Sequence, residues 1–65
     1  MTGVEAREIL GLTEADEWCK SGLESLKEAE LRVLEYEKNP MEQKRIKQCV
    51  KAIDTLLKLK DYVAA

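Results

Sequence analysis

Apolar residues recur every three or four positions along two long stretches of this 65-residue chain, with charged residues between them. At about 100° per residue, this spacing places the apolar side chains on one face of a helix. The apolar face of the first stretch comprises Leu12, Cys19, Leu23, Leu26, Val33 and Leu34. That of the second comprises Ile46, Cys49, Val50, Ile53, Leu56 and Leu57. The pattern therefore predicts an all-α fold built mainly from two amphipathic helices.

The predicted helix boundaries follow from capping residues. Asn39 can cap a helix, Pro40 suits the first helical position, and Glu42 can complete a capping box. Thr2 and Glu5 form a similar box near the N-terminus, Gly11 can end a first helix, and Thr13 can cap the next one. These signals predict one small domain with a short helix at about 3–10 and long helices at about 13–38 and 40–63.

The short break before Pro40 predicts that the two long helices fold back on each other as an antiparallel hairpin. The apolar layers then match as three pairs, Val33 with Ile46, Leu26 with Ile53, and Leu23 with Leu56. Residues 1–38 hold ten acids and five bases, a net charge of −5, whereas residues 39–65 hold three acids and six bases, a net charge of +3. The two halves should therefore attract each other.

The composition argues against enzymatic chemistry. Histidine is absent, which removes the commonest general base and metal ligand. Cys19 and Cys49 lie on the predicted apolar faces, on the order of 16 Å apart in the hairpin register, so we expect free thiols and no zinc site. No catalytic residue, cofactor, metal or small-molecule substrate is predicted. The chain should be a non-enzymatic protein of the reducing cytoplasm, because it lacks a membrane-length apolar run and a signal peptide.

Two residues on the apolar faces raise questions of their own. Glu30 falls near the centre of the face on the second helix, where a buried carboxylate needs water or a cation, and Lys47 or Lys51 could reach it. Cys19 lies opposite Lys60 in the hairpin register, and a cation there would favour the thiolate. We interpret Glu30 as a salt-bridged or solvated edge residue and Cys19 as a structural thiol that a neighbouring cation would make mildly reactive.

Some apolar residues fall outside the hairpin seam. Leu31 points away from it, and Met41, Ala52, Leu59 and Val63 form a second, narrower stripe. Either the short first helix folds over this stripe, or a partner protein or a second copy covers it. The hydrophobic core of a 65-residue domain gives only marginal stability, which favours stabilisation by a binding partner. The predicted partner-binding residues are Leu31, Met41, Leu59, Tyr62 and Val63, with Trp18 and Tyr36 as aromatic anchors.

Four basic residues cluster at the start of the last helix and support an alternative function. Lys44, Arg45, Lys47 and Lys51 could contact an acidic protein partner or a nucleic acid. The acidic isoelectric point, about 5.1, favours pairing with the acids of the second helix or with an acidic protein partner over a nucleic acid. A small nucleic-acid-binding regulator therefore remains the alternative to a protein interaction module.

Two segments resemble known families. The segment EAREILGL (5–12) is similar to the opening of a J-domain and to the first helix and turn of some helix-turn-helix proteins. The segment KAIDTLLKLKDYVA (51–64), together with the two-helix layout, resembles the small co-chaperones of type III secretion needle subunits. That second resemblance implies a cytoplasmic, chaperone-like helical hairpin that binds a second chaperone and helps to keep a needle subunit from polymerising.

Overall fold

A computed structural model describes residues 1–12 and 18–62 of the chain. Its elements are three helices: α1 at Gly3–Leu10, α2 at Lys20–Tyr36 and α3 at Pro40–Leu59. No strand occurs in the described residues, so the all-α prediction is confirmed.

Helix α1 is framed by the caps that the sequence predicts. The Thr2 hydroxyl accepts a hydrogen bond from the Glu5 N–H, and the Glu5 carboxylate accepts one from the Thr2 N–H, which completes the capping box. Gly11 ends the helix in the left-handed region at φ 73°, where a glycine avoids the strain of a Cβ.

Helix α2 is shorter than the predicted helix at 13–38. Cys19 has an extended backbone, and its Sγ accepts the Gly22 N–H at 3.3 Å, so the helix begins at Lys20. The predicted cap at Thr13 lies outside the described residues. The helix ends at Tyr36 because Glu37 is extended and its carboxylate accepts the N–H groups of Lys38 and Asn39.

Helix α3 begins at the predicted cap, since Asn39 Oδ1 accepts the Met41 N–H at 3.0 Å. The proposed capping box with Glu42 is wrong, because the Asn39 N–H is already bonded to Glu37 and the Glu42 carboxylate binds Arg45. The helix ends at Leu59 rather than at 63. Lys60 is left-handed at φ 55°, and the Asp61 N–H bonds back to the Leu56 carbonyl as in a Schellman motif.

Helix α3 is the central element, since it packs against both α1 and α2. The core joins one residue of α1, one of α2 and three of α3, namely Ala6, Leu23, Ala52, Ile53 and Leu56. Ile46, nearer the start of α3, is also buried. Burial of a leucine or isoleucine side chain stabilises a fold by roughly 1.5–3 kcal/mol, so each of the four large buried side chains is a substantial contribution to stability.

The packing of α1 on α3 decides one question that the sequence left open. Ala52, at the centre of the narrow second stripe, is buried in the cluster that contains Ala6 of α1. A Cβ at Gly3 would lie 2.9 Å from Asp61 Oδ2 and 3.7 Å from a Leu59 methyl carbon, so the start of α1 lies against the end of α3. The first helix therefore covers part of the stripe, while Met41 and Leu59 stay exposed.

Candidate interaction surface

An apolar surface remains uncovered on the second half of α2. Ala29, Arg32, Val33, Tyr36 and Glu37 line a shallow concavity, which we call the open face. Val33 is 51% exposed and Tyr36 is 78% exposed. Met41, at the start of α3, is 81% exposed. Large apolar side chains exposed together in this way are typical of a surface that binds another molecule.

The assignment of Val33 to the hairpin core is wrong. The covered positions on α2 are centred between Leu23, Lys27, Glu30 and Leu34, all of which are buried or half-buried. Val33 lies about 90° from the middle of that face at 100° per residue, so its side chain falls at the edge. The row formed by Ala29, Val33 and Tyr36, spaced by four and three positions, is the sequence signal that could have revealed the open face.

The structure separates the predicted partner-binding residues into different environments. Tyr36, Met41, Leu31 and Leu59 are exposed, as a contact surface requires. However, Leu31 lies about 140° around α2 from Tyr36 and belongs to the opposite flank. Trp18 and Tyr62 are half-buried and pack against the core, which gives them a structural role. Val63 lies outside the described residues.

The four predicted basic residues do not form one patch. Arg45 hydrogen-bonds Glu42 on its own helix, with Nη2 to Oε2 at 2.9 Å. Lys44, Lys47 and Lys51 share the opposite side of α3 with Lys58, within an arc of about 60° and a length of about 21 Å. These lysines are exposed. We call this set the lysine row.

In the described ion pairs between the two halves of the chain, the cation comes from the acidic half and the carboxylate from the basic half. This is the opposite of what the net charges predict. Lys27 of the acidic half binds Asp54 of the basic half, with Nζ to Oδ1 at 2.6 Å. The proposed pairing of Glu30 with Lys47 or Lys51 is absent from the described ion pairs. Glu30 is half-buried and close enough to Arg45 and Cys49 to influence the pKa of both.

A second ion pair holds α1 against the end of α3. The Arg7 guanidinium donates to both carboxylate oxygens of Asp61, from Nε at 3.1 Å and from Nη2 at 3.0 Å. The hydrogen bond from Arg7 lowers the pKa of the Asp61 carboxyl below its ordinary value. Because both side chains are partly solvated, the pair contributes about 1 kcal/mol or less.

The two cysteines are free thiols in different surroundings. Hydrogen bonds from Ser21 and from the Gly22 N–H lower the pKa of the Cys19 thiol, so the start of α2 takes the role that the sequence suggested for Lys60. Burial, together with the nearby Glu30 carboxylate, raises the pKa of the Cys49 thiol.

Cys19 should therefore react with iodoacetamide at least about threefold faster than Cys49 at neutral pH, because the thiolate is the nucleophile. Mass spectrometry of peptides sampled over time measures both rates in one molecule. The same experiment in concentrated urea is the control, and the two rates should converge there. Equal rates in the folded chain would contradict the assigned environments.

Metal-binding and membrane-spanning features are absent from residues 1–12 and 18–62. No cluster of three or more acidic or cysteine side chains there could hold a metal ion. None of the three helices is long and apolar enough to cross a membrane. No protein-family model matches the chain, and neither a curated protein nor a solved structure shows significant similarity to it.

Proposed function

We propose that this chain is a small non-enzymatic protein interaction module, adaptor-like or chaperone-like, that binds a partner protein or a second copy through the open face. The observation that carries the proposal is the exposure of Val33 and Tyr36 beside the concavity. Covering them would add apolar burial to a domain whose own core is small. A partner that binds only the folded chain would also stabilise it by mass action.

We also propose that α2 and α3 form the antiparallel hairpin that presents this surface. Three observations support this arrangement. Only three residues, 37–39, connect the helices, and the Gln43 side chain donates to the Glu37 carbonyl across the connection at 2.6 Å. Lys27 binds Asp54. Leu23, near the start of α2, shares a cluster with Leu56, near the end of α3.

The resemblance to co-chaperones of type III secretion needle subunits gives the proposal a specific form. In that form the chain acts in the cytoplasm, and its partner is a second chaperone or the needle subunit itself. A hairpin with an uncovered apolar surface suits this role, because amphipathic helices bind such grooves through residues spaced three or four apart.

Photo-crosslinking in cells tests the proposed function. A benzophenone amino acid replaces Tyr36 in the open face, and in a second variant it replaces Lys51 in the lysine row. We expect protein adducts from position 36, and their masses identify the partner. A secretion chaperone or a needle subunit among them would support the resemblance.

The Lys51 variant serves as the matched control and also tests the alternative function. Four lysines along one side of α3 could contact the phosphates of a nucleic acid, so a nucleic-acid-binding regulator predicts adducts with RNA or DNA from position 51 that are lost at high salt. Nucleic-acid adducts from position 51, without protein adducts from position 36, would replace the proposed function with this alternative. If neither position gives an adduct, both functions are rejected.

A further inference from the structure

Helix α1 is too short to cover the whole of α3, the helix that it contacts. Its eight residues span about 12 Å, whereas the twenty residues of α3 span about 30 Å. The contacts that hold it involve the end of α3. Met1 meets Thr55, Ala6 clusters with Ala52, and Arg7 binds Asp61. The first half of α3 and the second half of α2 lie beyond these contacts.

The open face lies on the same side of the helix pair as α1. Lys27 and Val33 project from opposite flanks of α2 at 100° per residue, and Asp54 and Ala52 project from opposite flanks of α3. Lys27 binds Asp54, so these two mark one side of the pair. Ala52 packs with Ala6 of α1 on the other side, where Val33 also projects. Helix α1 therefore projects from the same side of the α2–α3 pair as the open face.

The solvent-exposed side of α1 is complementary to the open face. Val4 is 68% exposed and lies one helical turn from Glu8, which is also exposed. The open face contains the apolar side chains of Ala29 and Val33 and the cationic side chain of Arg32. Within the described residues, neither Glu8 nor Arg32 takes part in an intramolecular ion pair. Val4 and Glu8 of α1 are therefore complementary in polarity and charge to the apolar side chains and Arg32 of the open face.

From this complementarity we propose that the partner of the open face is a second copy of the chain. The two copies are related by a twofold axis, so that α1 of each copy packs into the open face of the other. Val4 of one copy covers Val33 of the other, and Glu8 pairs with Arg32. Both open faces are covered in this arrangement, so the assembly is a closed, isologous dimer. This inference rests on the proposed function and names its partner.

Charge reversal at the two ends of the proposed ion pair tests the dimer. In Glu8→Arg, two arginines face each other at both contacts, and in Arg32→Glu two glutamates do so. Each variant alone should raise the dimer dissociation constant at least about tenfold, because two attractive contacts become repulsive. An equimolar mixture of the two variants forms a heterodimer in which both ion pairs have opposite charges again. Its dissociation constant should lie within about threefold of that of the unmodified chain.

Sedimentation velocity measures these constants, and circular dichroism checks that each variant keeps its helicity. Glu35→Arg, on the flank of α2 away from the open face, is the control for the change in net charge and should leave dimerisation unaltered. A mixture that associates no better than either variant alone would overturn the dimer. So would an unmodified chain that stays monomeric up to about 1 mM.

The outcomes separate this inference from the proposed function. If the chain is monomeric but position 36 cross-links to a different protein, the dimer is rejected and the interaction module stands. If the chain is monomeric and position 36 gives no adduct, both are rejected. A dimer restored by mixing, with self-adducts from position 36, supports both.

Discussion

Leu23→Ala should destabilise the protein by about 2–5 kcal/mol, the usual cost of removing a fully buried leucine side chain. Leu23 has no exposed surface and is the one residue of α2 in the core cluster. The cores of domains of this size rarely supply more than about 3–5 kcal/mol in total. We therefore expect a large unfolded fraction of the variant at room temperature, measured by urea titration with circular dichroism detection.

Leu31→Ala is the matched control, because it makes the same chemical change on the same helix at an exposed position. Its free energy of unfolding should change by about 0.5 kcal/mol or less. If the two variants lose the same stability, α2 does not pack against α3 through Leu23, and the assignment of the core is wrong.

Ala52→Leu should detach α1 from α3. Ala52 is completely buried in the cluster with Ala6, so three added carbon atoms have no space between the helices. Overpacking of this kind costs about 1–3 kcal/mol. The loss should concentrate on α1, because an eight-residue helix is not stable without tertiary contacts. Hydrogen exchange should show fast-exchanging amides in α1, while α2 and α3 keep most of their protection.

Gln48→Leu is the control for this effect. It lies one turn before Ala52 on the same side of α3, is exposed, and lies beyond the contacts that hold α1. The amides of α1 should keep their protection in this variant. Unchanged protection of α1 in Ala52→Leu would show that the first helix is not held through Ala52.

The main features of the fold could be predicted because they depend on local signals. The capping box of Thr2 and Glu5, the left-handed Gly11 and the Asn39 cap each act within a few residues, and the structure contains all three. The start of α2 could not be predicted in this way. Its cap is the thiol of Cys19, and cysteine is not among the residues favoured at that position.

The candidate surface was less predictable because it depends on which side of each helix is covered. A helical wheel groups Val33 with the core, but the contact with α3 is centred far enough away to leave its side chain exposed. The contribution of α1 depends on contacts between residues distant in sequence, such as Arg7 with Asp61. Periodicity within one helix contains no information about such contacts. It could therefore indicate a surplus of apolar residues without locating the surface that they form.

The solution mass of the unmodified chain, measured by sedimentation equilibrium from about 10 μM to about 1 mM, tests the central claim most directly. We predict that the mass rises with concentration from that of the 7.4 kDa monomer towards twice this value. A mass that remains at that of the monomer over the whole range would contradict the proposal that the open face binds α1 of a second copy.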